Sequence, residues 1–297
     1  MGNPGRIILS LGSRGLLKWV PDKMYLQMLV KSQLGYKVDF EAPKTYNEKL
    51  QWLKLYDRKP EYSRMVDKYA VREYIAEKIG EQYLIPLVGG PWERVEDIDF
   101  DALPEQFVLK TTHDSGGVVI CYNKDNFDKD SALAKLRKHM KREYFWGKRE
   151  WPYKDVPHRI IAEKYMEDSR DSELRDYKLF AFNGRVRAMF IASERFSKNS
   201  ETKFDFFDEN FIHLDIRNGY PNAKEIPHRP SNFEEMKSLA SKLSKGIPQL
   251  RVDFYEVNGK IYFGELTFTH WGGIVPFEPK KWDNIFGDWI ELPEKTV

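Results

Sequence analysis

Cysteine is almost missing from this sequence. A single one, Cys121, in 297 residues excludes an internal disulfide and a metal site built from cysteine alone. It sits in an apolar stretch, where a free thiol serves as a small core residue. Long apolar runs are missing too, since none approaches the roughly 20 residues a helix needs to span a bilayer. Near the start, "GRIILSLGSRGLL" joins charge to an apolar patch but lacks a small-residue cleavage site. The expectation is a cytoplasmic protein, at the inner face of the membrane if its basic start meets lipid. Net charge is also nearly absent: 48 basic residues against 46 acidic ones leave +2, which gives no reason to expect a nucleic-acid partner. Internal repeats, low-complexity tracts and long linkers are not found.

What is present is enough for a folded core. The chain is 41% hydrophobic and 14% aromatic, and long enough for two domains, or for one large α/β unit with an extra lobe. Its charge is balanced but uneven. Residues 1–38 hold Arg6, Arg14, Lys18, Lys23, Lys31 and Lys37 against Asp22 alone. Residues 135–149 hold Lys135, Arg137, Lys138, Lys141, Arg142, Lys148 and Arg149. A solvated helix face is the commoner meaning of such clusters; attraction to anionic lipid or a charged polymer is the alternative.

The first 85 or so residues read as helical. "KTYNEKLQWLKLYD" offers Thr45 or Asn47 as a cap, with Tyr46, Leu50, Leu53 and Leu55 as apolar positions. "MVDKYAVREYIAEKIG" places Val66, Tyr69, Ala70, Tyr74 and Ile75 at helical spacing, and Gly80 ends it. "YLIPLVGGPW" reads as a short strand and a loop. From residue 107 the pattern turns to strand pairs, with a basic helix in "DKDSALAKLRKHMKREYF", a strand in "RIIAEKYM" and an amphipathic helix in "FEEMKSLASKLSKGI". Asn183-Gly184 and Asn258-Gly259 each sit between alternating runs, a strong hairpin signal. The fold class expected is α+β, with an N-terminal helical part (1–85) and an antiparallel-sheet part (86–297).

Two stretches can carry chemistry. In "FVLKTTHDSGGVVI" a strand ends in Lys110, and a small loop turns straight back into another strand. The plain reading is an exposed lysine beside a tight turn; the sharper one is a loop covering phosphate, with Gly116 and Gly117 admitting an anion to backbone N–H groups. In "LRVDFYEVNGKIYFGELTF", Asp253 lies on one strand and Glu265 on the next, with Arg251 and Thr267 two residues away on the same faces. Two such carboxylates can hold Mg²⁺, or they can belong to a surface ladder of ion pairs. Parity stands in the way, since a plain two-residue turn at Asn258-Gly259 pairs 253 with 264. Facing Asp253 with Glu265 demands a longer loop or a bulge. Lys68, before "YAVREYI", reads most simply as a solvent-facing lysine, and Glu163 as an edge-strand acid.

In this order, these residues resemble the ATP-grasp superfamily: Asp-Lys before a Gly and "LIP", a strand ending in Lys, an acid opening a hinge strand, then Arg-x-Asp and a Glu before a Gly-Gly turn. "KTYNEKLQWLKLYDR", "DKYAVREYI", "DYKLFAFNG" and "GELTF" look like its TupA-like branch, named for teichuronopeptide biosynthesis. The likeness covers about residues 20–285 and implies an ATP-grasp fold, two α+β lobes with antiparallel sheets around an ATP cleft.

It also implies roles. Lys68 and Lys110 would contact the α- and β-phosphates of ATP, and Ser115, Gly116 and Gly117 would close over them. Glu163 and the backbone of Lys164, Tyr165 and Met166 would hold adenine and ribose. Asp253 and Glu265, with Thr267 in place of the usual Asn, would bind Mg²⁺. Arg251 would stabilise transferred charge, and Lys178 would face the cleft. His113 and Asp114 depart from the usual loop: an acid so near phosphate would repel unless it held a metal or an amine. The activity implied is ADP-forming ligation of a carboxylate, on a small molecule or glycan, to an amino acid in surface-polysaccharide synthesis, with the basic N-terminal surface suiting an anionic or lipid-linked glycan. Rival readings are a kinase on the same scaffold, a glycosyltransferase using Asp99-Phe100-Asp101, and a binding module without turnover.

Overall fold

The computed structural model describes residues 4–169, 174–194 and 201–296. Five helices come first: α1 (Pro4–Ser13), α2 (Asp22–Leu34), α3 (Tyr46–Tyr56), α4 (Glu61–Val66) and α5 (Val71–Lys78). Strands β1 (Leu87–Trp92), β2 (Phe107–Thr111) and β3 (Val118–Cys121) lead to α6 (Lys129–Met140) and α7 (Phe145–Lys148). Next are β4 (Ile160–Lys164), β5 (Asp176–Phe182), β6 (Arg185–Ser193), β7 (Lys203–Asp208) and β8 (His213–Leu214). Helix α8 (Phe233–Leu243), β9 (Leu250–Val257), β10 (Lys260–Thr267) and α9 (Lys281–Asp288) complete the described elements. The fold is α+β, as the sequence predicts.

The strands form two antiparallel sheets, a small one in the order β1-β4-β2-β3 and a large one in the order β10-β9-β5-β6-β7-β8. Alternation decides what each face does. In the small sheet Phe107, Leu109, Ile160 and Ala162 point into a core that includes Cys121 and Leu136 of α6. Val108, Lys110, Ile161 and Glu163 therefore share the other face. In the large sheet Leu250, Val252 and Phe254 are fully buried against α8, α4 and α5. That leaves Arg251 and Asp253 on the opposite face, whose inner part is roofed by Tyr46 of α3 and Phe286 of α9 over Phe180, Phe190 and Phe206. Burying one such side chain stabilises the fold by about 1.5–3 kcal/mol, so the large sheet is a rigid support. The helices before residue 85 thus share two cores with the sheet that follows; α1 and α2 add a smaller core with Phe40 and Leu55.

Helix α3 starts where its sequence says. Thr45 accepts from the Glu48 N–H and the Glu48 carboxylate accepts from the Thr45 N–H, a reciprocal cap. The helix expected across "MVDKYAVREYIAEKIG" is instead broken at 67–70. Asp67 accepts from the Tyr69 N–H at 2.9 Å and pairs with Arg159 at 2.5 Å. The Lys68 N–H donates to the Thr112 carbonyl at 3.1 Å, so the chain is pinned to the loop after β2. Lys68 stands in that turn, three residues before α5. Apolar periodicity misses the break because Met65, Val66, Val71 and Ile75 are buried on either side of it.

"YLIPLVGGPW" also differs: the strand is Leu87–Trp92 and includes the glycines, with two irregularities in its pairing to β4. A Cβ on Gly89 would lie 2.5 Å from the Trp92 ring, so Gly-Gly marks a bulged edge strand here. Strands β7 and β8 extend the large sheet through a stretch to which the sequence reading gave no element.

Candidate active site

The last hairpin resolves the parity problem. Asn258 (φ 51) and Gly259 (φ 78) form a tight two-residue turn, pairing Val257 with Lys260. The register then shifts between Phe263 and Glu265, leaving Gly264 as the extra residue of a bulge. Beyond it Glu265 pairs with Asp253 and Thr267 with Arg251, so all four share the face opposite the core. On β5, Lys178 pairs with Asp253, and Asp176 lies two residues away on the same face.

These side chains form one charged network. Arg251 donates to both Asp253 oxygens at 2.7 Å and to Glu265 Oε1 at 3.0 Å. Lys178 donates to Asp253 and lies 2.7 Å from Asp176 Oδ2. Burial alone would raise the Asp253 carboxyl, but the charges of Arg251 and Lys178 outweigh it and hold it well below the usual carboxylate range. Burial likewise opposes the Arg251 charge, and Asp253 and Glu265 more than offset it. Arg251 Nη1 lies 2.8 Å from His270 Nδ1. A guanidinium only donates, so Nδ1 accepts and the proton sits on Nε2, which faces Asn218 Oδ1 at 2.9 Å. Burial and the Arg251 charge push His270 far below its ordinary value, in agreement with a neutral ring. Glu265 is the outward member: its side chain is 42% exposed, against 1% for Asp253.

The small sheet supplies the opposite wall. Lys110 Nζ donates to Glu163 Oε2 at 2.5 Å, and Arg72 lies 3.9 Å from the other carboxylate oxygen. Glu163 is thus bound to the lysine strand, one residue inside the end of β4. Lys68 Nζ donates to the Asp114 carbonyl at 2.5 Å. Burial lowers the Lys68 pKa, with Glu265, Asp114 and Glu163 raising it and Lys110 lowering it, which places Lys68 in the field of both walls. Lys164, Tyr165 and Met166 border a cavity of about 320 Å³ with Val257, Lys260 and Tyr262 of the large sheet. Tyr165 and Met166 lie past the strand's end.

The loop from Thr111 to Gly117 explains its own departures. Asp114 is buried, bound to the Thr111 hydroxyl, 2.5 Å from His139 Nδ1 and 3.6 Å from Arg142. The carboxylate that threatened to repel phosphate is turned inward onto α6, toward His139 and Arg142. His113 is buried as well, stacked at 3.7 Å on His158 and donating to the His139 carbonyl. A Cβ on Gly117 would lie 1.8 Å from Thr111 Oγ1, so the loop's own packing requires that glycine. Ser115 and Gly116 are the exposed tip, with Gly116 at φ +92.

Other expectations resolve plainly. Asp99 accepts from the N–H groups of Asp101 and Ala102, so Asp99-Phe100-Asp101 is a turn. Arg149, counted among the solvated basic residues, is fully buried 3.0 Å from Asp22 and over the rings of Tyr25 and Trp146. The sequence reading missed Arg72, Asp176, His270 and Asn218. Asp176 was within reach, being two residues before Lys178 on a strand; His270 and Asn218 carry no local signal. Tyr144 and Tyr153, raised by burial with Glu265 among the nearby charges, border the same site.

Asp253, Glu265 and Thr267 offer oxygen donors only, which suits a hard cation such as Mg²⁺. Glu265 presents its carboxylate outward, whereas Asp253 would have to share oxygens now held by Arg251 and Lys178. The donor chemistry therefore fits, with Glu265 as the accessible ligand. Among the described residues no group of three or more His, Cys, Asp or Glu side chains is gathered as a metal centre, so a bound cation would keep water or substrate oxygens.

No curated protein matches the chain. Among solved structures, the D-alanine–D-alanine ligase of Bacillus anthracis complexed with ATP is 20% identical, with a TM-score of 0.39, over 69% of this chain and 55% of that one. The Helicobacter pylori D-alanine–D-alanine ligase is 14% identical, with a TM-score of 0.42, over 92% and 69%. N5-carboxyaminoimidazole synthetase from Staphylococcus aureus is 14% identical, with a TM-score of 0.40, over 77% and 53%. This chain thus spans little more than half the length of two of the three. The description of the TupA-like ATP-grasp family matches residues 48–291, most of the chain and all of both walls. The chain belongs to the TupA-like ATP-grasp family.

Proposed function

We propose that this protein is an ADP-forming ligase joining a carboxylate to an amine, acting in bacterial surface-polysaccharide synthesis. The observation that carries the reading is the gathering of Arg251, Asp253, Glu265 and Lys178 on one face by a bulge, opposite Lys110 and Lys68. Family membership supports ATP as the phosphoryl donor. In the first step a substrate carboxylate oxygen attacks the γ-phosphorus, the bond to the β-phosphate oxygen breaks, and ADP leaves. In the second the amine attacks the acyl carbon, the carbon–oxygen bond breaks, and phosphate leaves as the nitrogen gives up a proton. Mg²⁺, when bound by Glu265 and Asp253, supplies charge neutralisation and orientation of phosphate oxygens.

The chain's own groups do the rest by position and charge. Lys110 and Lys68 would hold the phosphates as point charges, Lys110 exchanging Glu163 for a phosphate oxygen. Arg251, fixed in orientation by Asp253 and His270, would meet charge developing on the transferred group. Lys164 to Met166 border a cavity that would receive the base, with Glu163 one residue before them on β4. A uronic acid is the carboxylate, and an amino acid the amine, that the polysaccharide context favours.

The test is ADP release across a panel of amino acids, with and without uronic-acid acceptors, in the native protein and in Glu265→Ala. Amide product with ADP, lost in Glu265→Ala while thermal unfolding is kept, is the expected result. A stable phosphoester without amide indicates a kinase, and hydrolysis of a sugar nucleotide a glycosyltransferase. Nucleotide binding without turnover of any substrate indicates a binding module. Near-normal ADP release in Glu265→Ala would remove the metal assignment.

A further inference from the structure

Burial sorts the first two helices sharply. Tyr25, Leu26, Leu29 and Val30 are fully buried, yet Ile7, Leu16, Trp19, Met24 and Met28 stand 53%, 58%, 80%, 57% and 40% exposed. These are five of the eight large apolar side chains left exposed among the described residues, and they all fall within 22 residues of chain. A monomer scatters such residues singly; a concentration of them marks a contact surface.

The helices lie side by side and antiparallel. A Cβ on Gly5 would lie 2.4 Å from Gln33 Nε2, and one on Gly12 would lie 2.0 Å from Tyr25 Oη. On α2, Met24, Met28 and Lys31 follow at intervals of four and three, one stripe of the helix. The charge around the apolar residues has one sign. Arg6, Arg14, Lys18, Lys23 and Lys31 are all exposed, and the only acid between residues 4 and 34, Asp22, is held by Arg58 at 2.7 Å and Arg149 at 3.0 Å. Among the described residues no carboxylate pairs with Arg6, Arg14 or Lys31. Lys18 reaches Glu143 and Lys23 reaches Glu41, both in exposed pairs that water and salt weaken.

We propose that this surface docks the protein on an anionic lipid bilayer. A second copy would bring like charges together, whereas an anionic membrane complements them and accepts the apolar tips. Trp19 suits the headgroup level, where an aromatic ring meets both apolar and polar surroundings. No helix among the described residues is long and apolar enough to cross a membrane, so the contact is peripheral. It leaves the charged site untouched and stands independently of the ligase reading.

The experiment is co-sedimentation of the full chain with vesicles of phosphatidylcholine alone or of phosphatidylcholine and phosphatidylglycerol in equal parts. Binding to the anionic vesicles only, weakened by salt, is the expected result. Arg6→Glu/Arg14→Glu should reduce that partition by about 25-fold or more, at roughly a factor of five per basic charge lost, and Leu16→Glu/Trp19→Glu by about tenfold or more. Thermal unfolding should hold in both, because the four side chains are exposed. No binding to anionic vesicles, or binding that survives both variants, overturns the proposal. So does a dimer in solution that the Leu16→Glu/Trp19→Glu variant abolishes in the absence of vesicle binding.

Discussion

The two walls of the site hold their charges in different ways. On the small sheet Lys110 and Glu163 form a single part-buried pair, with side chains 18% and 11% exposed and one further cation, Arg72, at 3.9 Å. On the large sheet Arg251, Asp253 and Lys178 are 9%, 1% and 9% exposed and are tied to one another, to Asp176 and to His270. A single pair can exchange partners when a phosphate arrives. A buried network is preorganised and pays for removal of any member in stability. One wall is therefore built to receive a ligand and the other to hold its shape while charge moves.

The largest effect should come from the buried wall. Asp253→Ala leaves Arg251 and Lys178 without the carboxylate that joins them, and a buried charge stripped of its partner costs about 3–5 kcal/mol. Urea unfolding measures it. Lys110→Ala should cost the fold less, about 1–3 kcal/mol, since Arg72 still faces the Glu163 carboxylate. Equal losses from the two substitutions would break the contrast between the walls.

Next comes the mirror image. Lys110→Ala should weaken ATP binding by about 1.5–3 kcal/mol, the worth of a hydrogen bond to a charged group, or about 10- to 150-fold in Kd. Calorimetric titration of nucleotide reads it directly. Unchanged affinity would leave Lys110 as no more than the partner of Glu163.

These contrasts could be foreseen only in part. Alternation along 250–254 separates a core face from a charged face, and parity demands either a longer loop or a bulge without choosing between them. The place of the bulge at Gly264 was not legible, because a glycine in a strand can mark several things. The inward turn of Asp114 was hidden for another reason: its partner His139 lies on a helix 25 residues away. Arg149 was misread because clustering in sequence says nothing about which cation faces Asp22. Asp67 broke a helix whose apolar spacing runs straight through it. Local periodicity carried the elements and the faces; long-range polar partners carried the errors.

Acid reads the buried groups of both walls in turn. His270 is neutral in the fold and its folded pKa lies well below 6.5. The unfolded chain therefore takes up a proton first, so the contribution is complete above about pH 6.5 and is lost as pH falls below it, at about 1.4 kcal/mol per pH unit. His113, lowered to about 4 by burial and by His158, adds to the same slope down to that pH. Asp253 is depressed in the fold, so its contribution is present above the usual carboxylate value of about 3.9 and disappears below it. Urea unfolding from pH 7 to 3 should show a decline beginning near 6.5 that steepens below 4. His270→Gln should flatten the first part and leave the second.

The smallest effect tests whether the shape of the rigid wall matters to the chemistry. A Cβ on Gly264 would sit 3.1 Å from the Asp253 carbonyl oxygen and 3.2 Å from the Tyr255 ring, close enough that something must give by a few tenths of an ångström. Gly264→Ala should therefore cost about 1 kcal/mol, typical of mild crowding. Gly259→Ala should cost a similar amount for a different reason, its φ of +78 being disfavoured once a side chain is present. The two variants should part in turnover. The atom crowded by the added methyl group at position 264 belongs to the backbone of Asp253, so any relief moves the carboxylate that orients Arg251 and Lys178, whereas the Asn258-Gly259 turn lies at the far end of the hairpin. A drop in kcat of up to about tenfold is expected for Gly264→Ala, a shift of a few tenths of an ångström costing less than the roughly hundredfold of a 1 Å misplacement, with little change for Gly259→Ala. Equal kcat values in the two would mean that the bulge sets the direction of Glu265 and nothing finer.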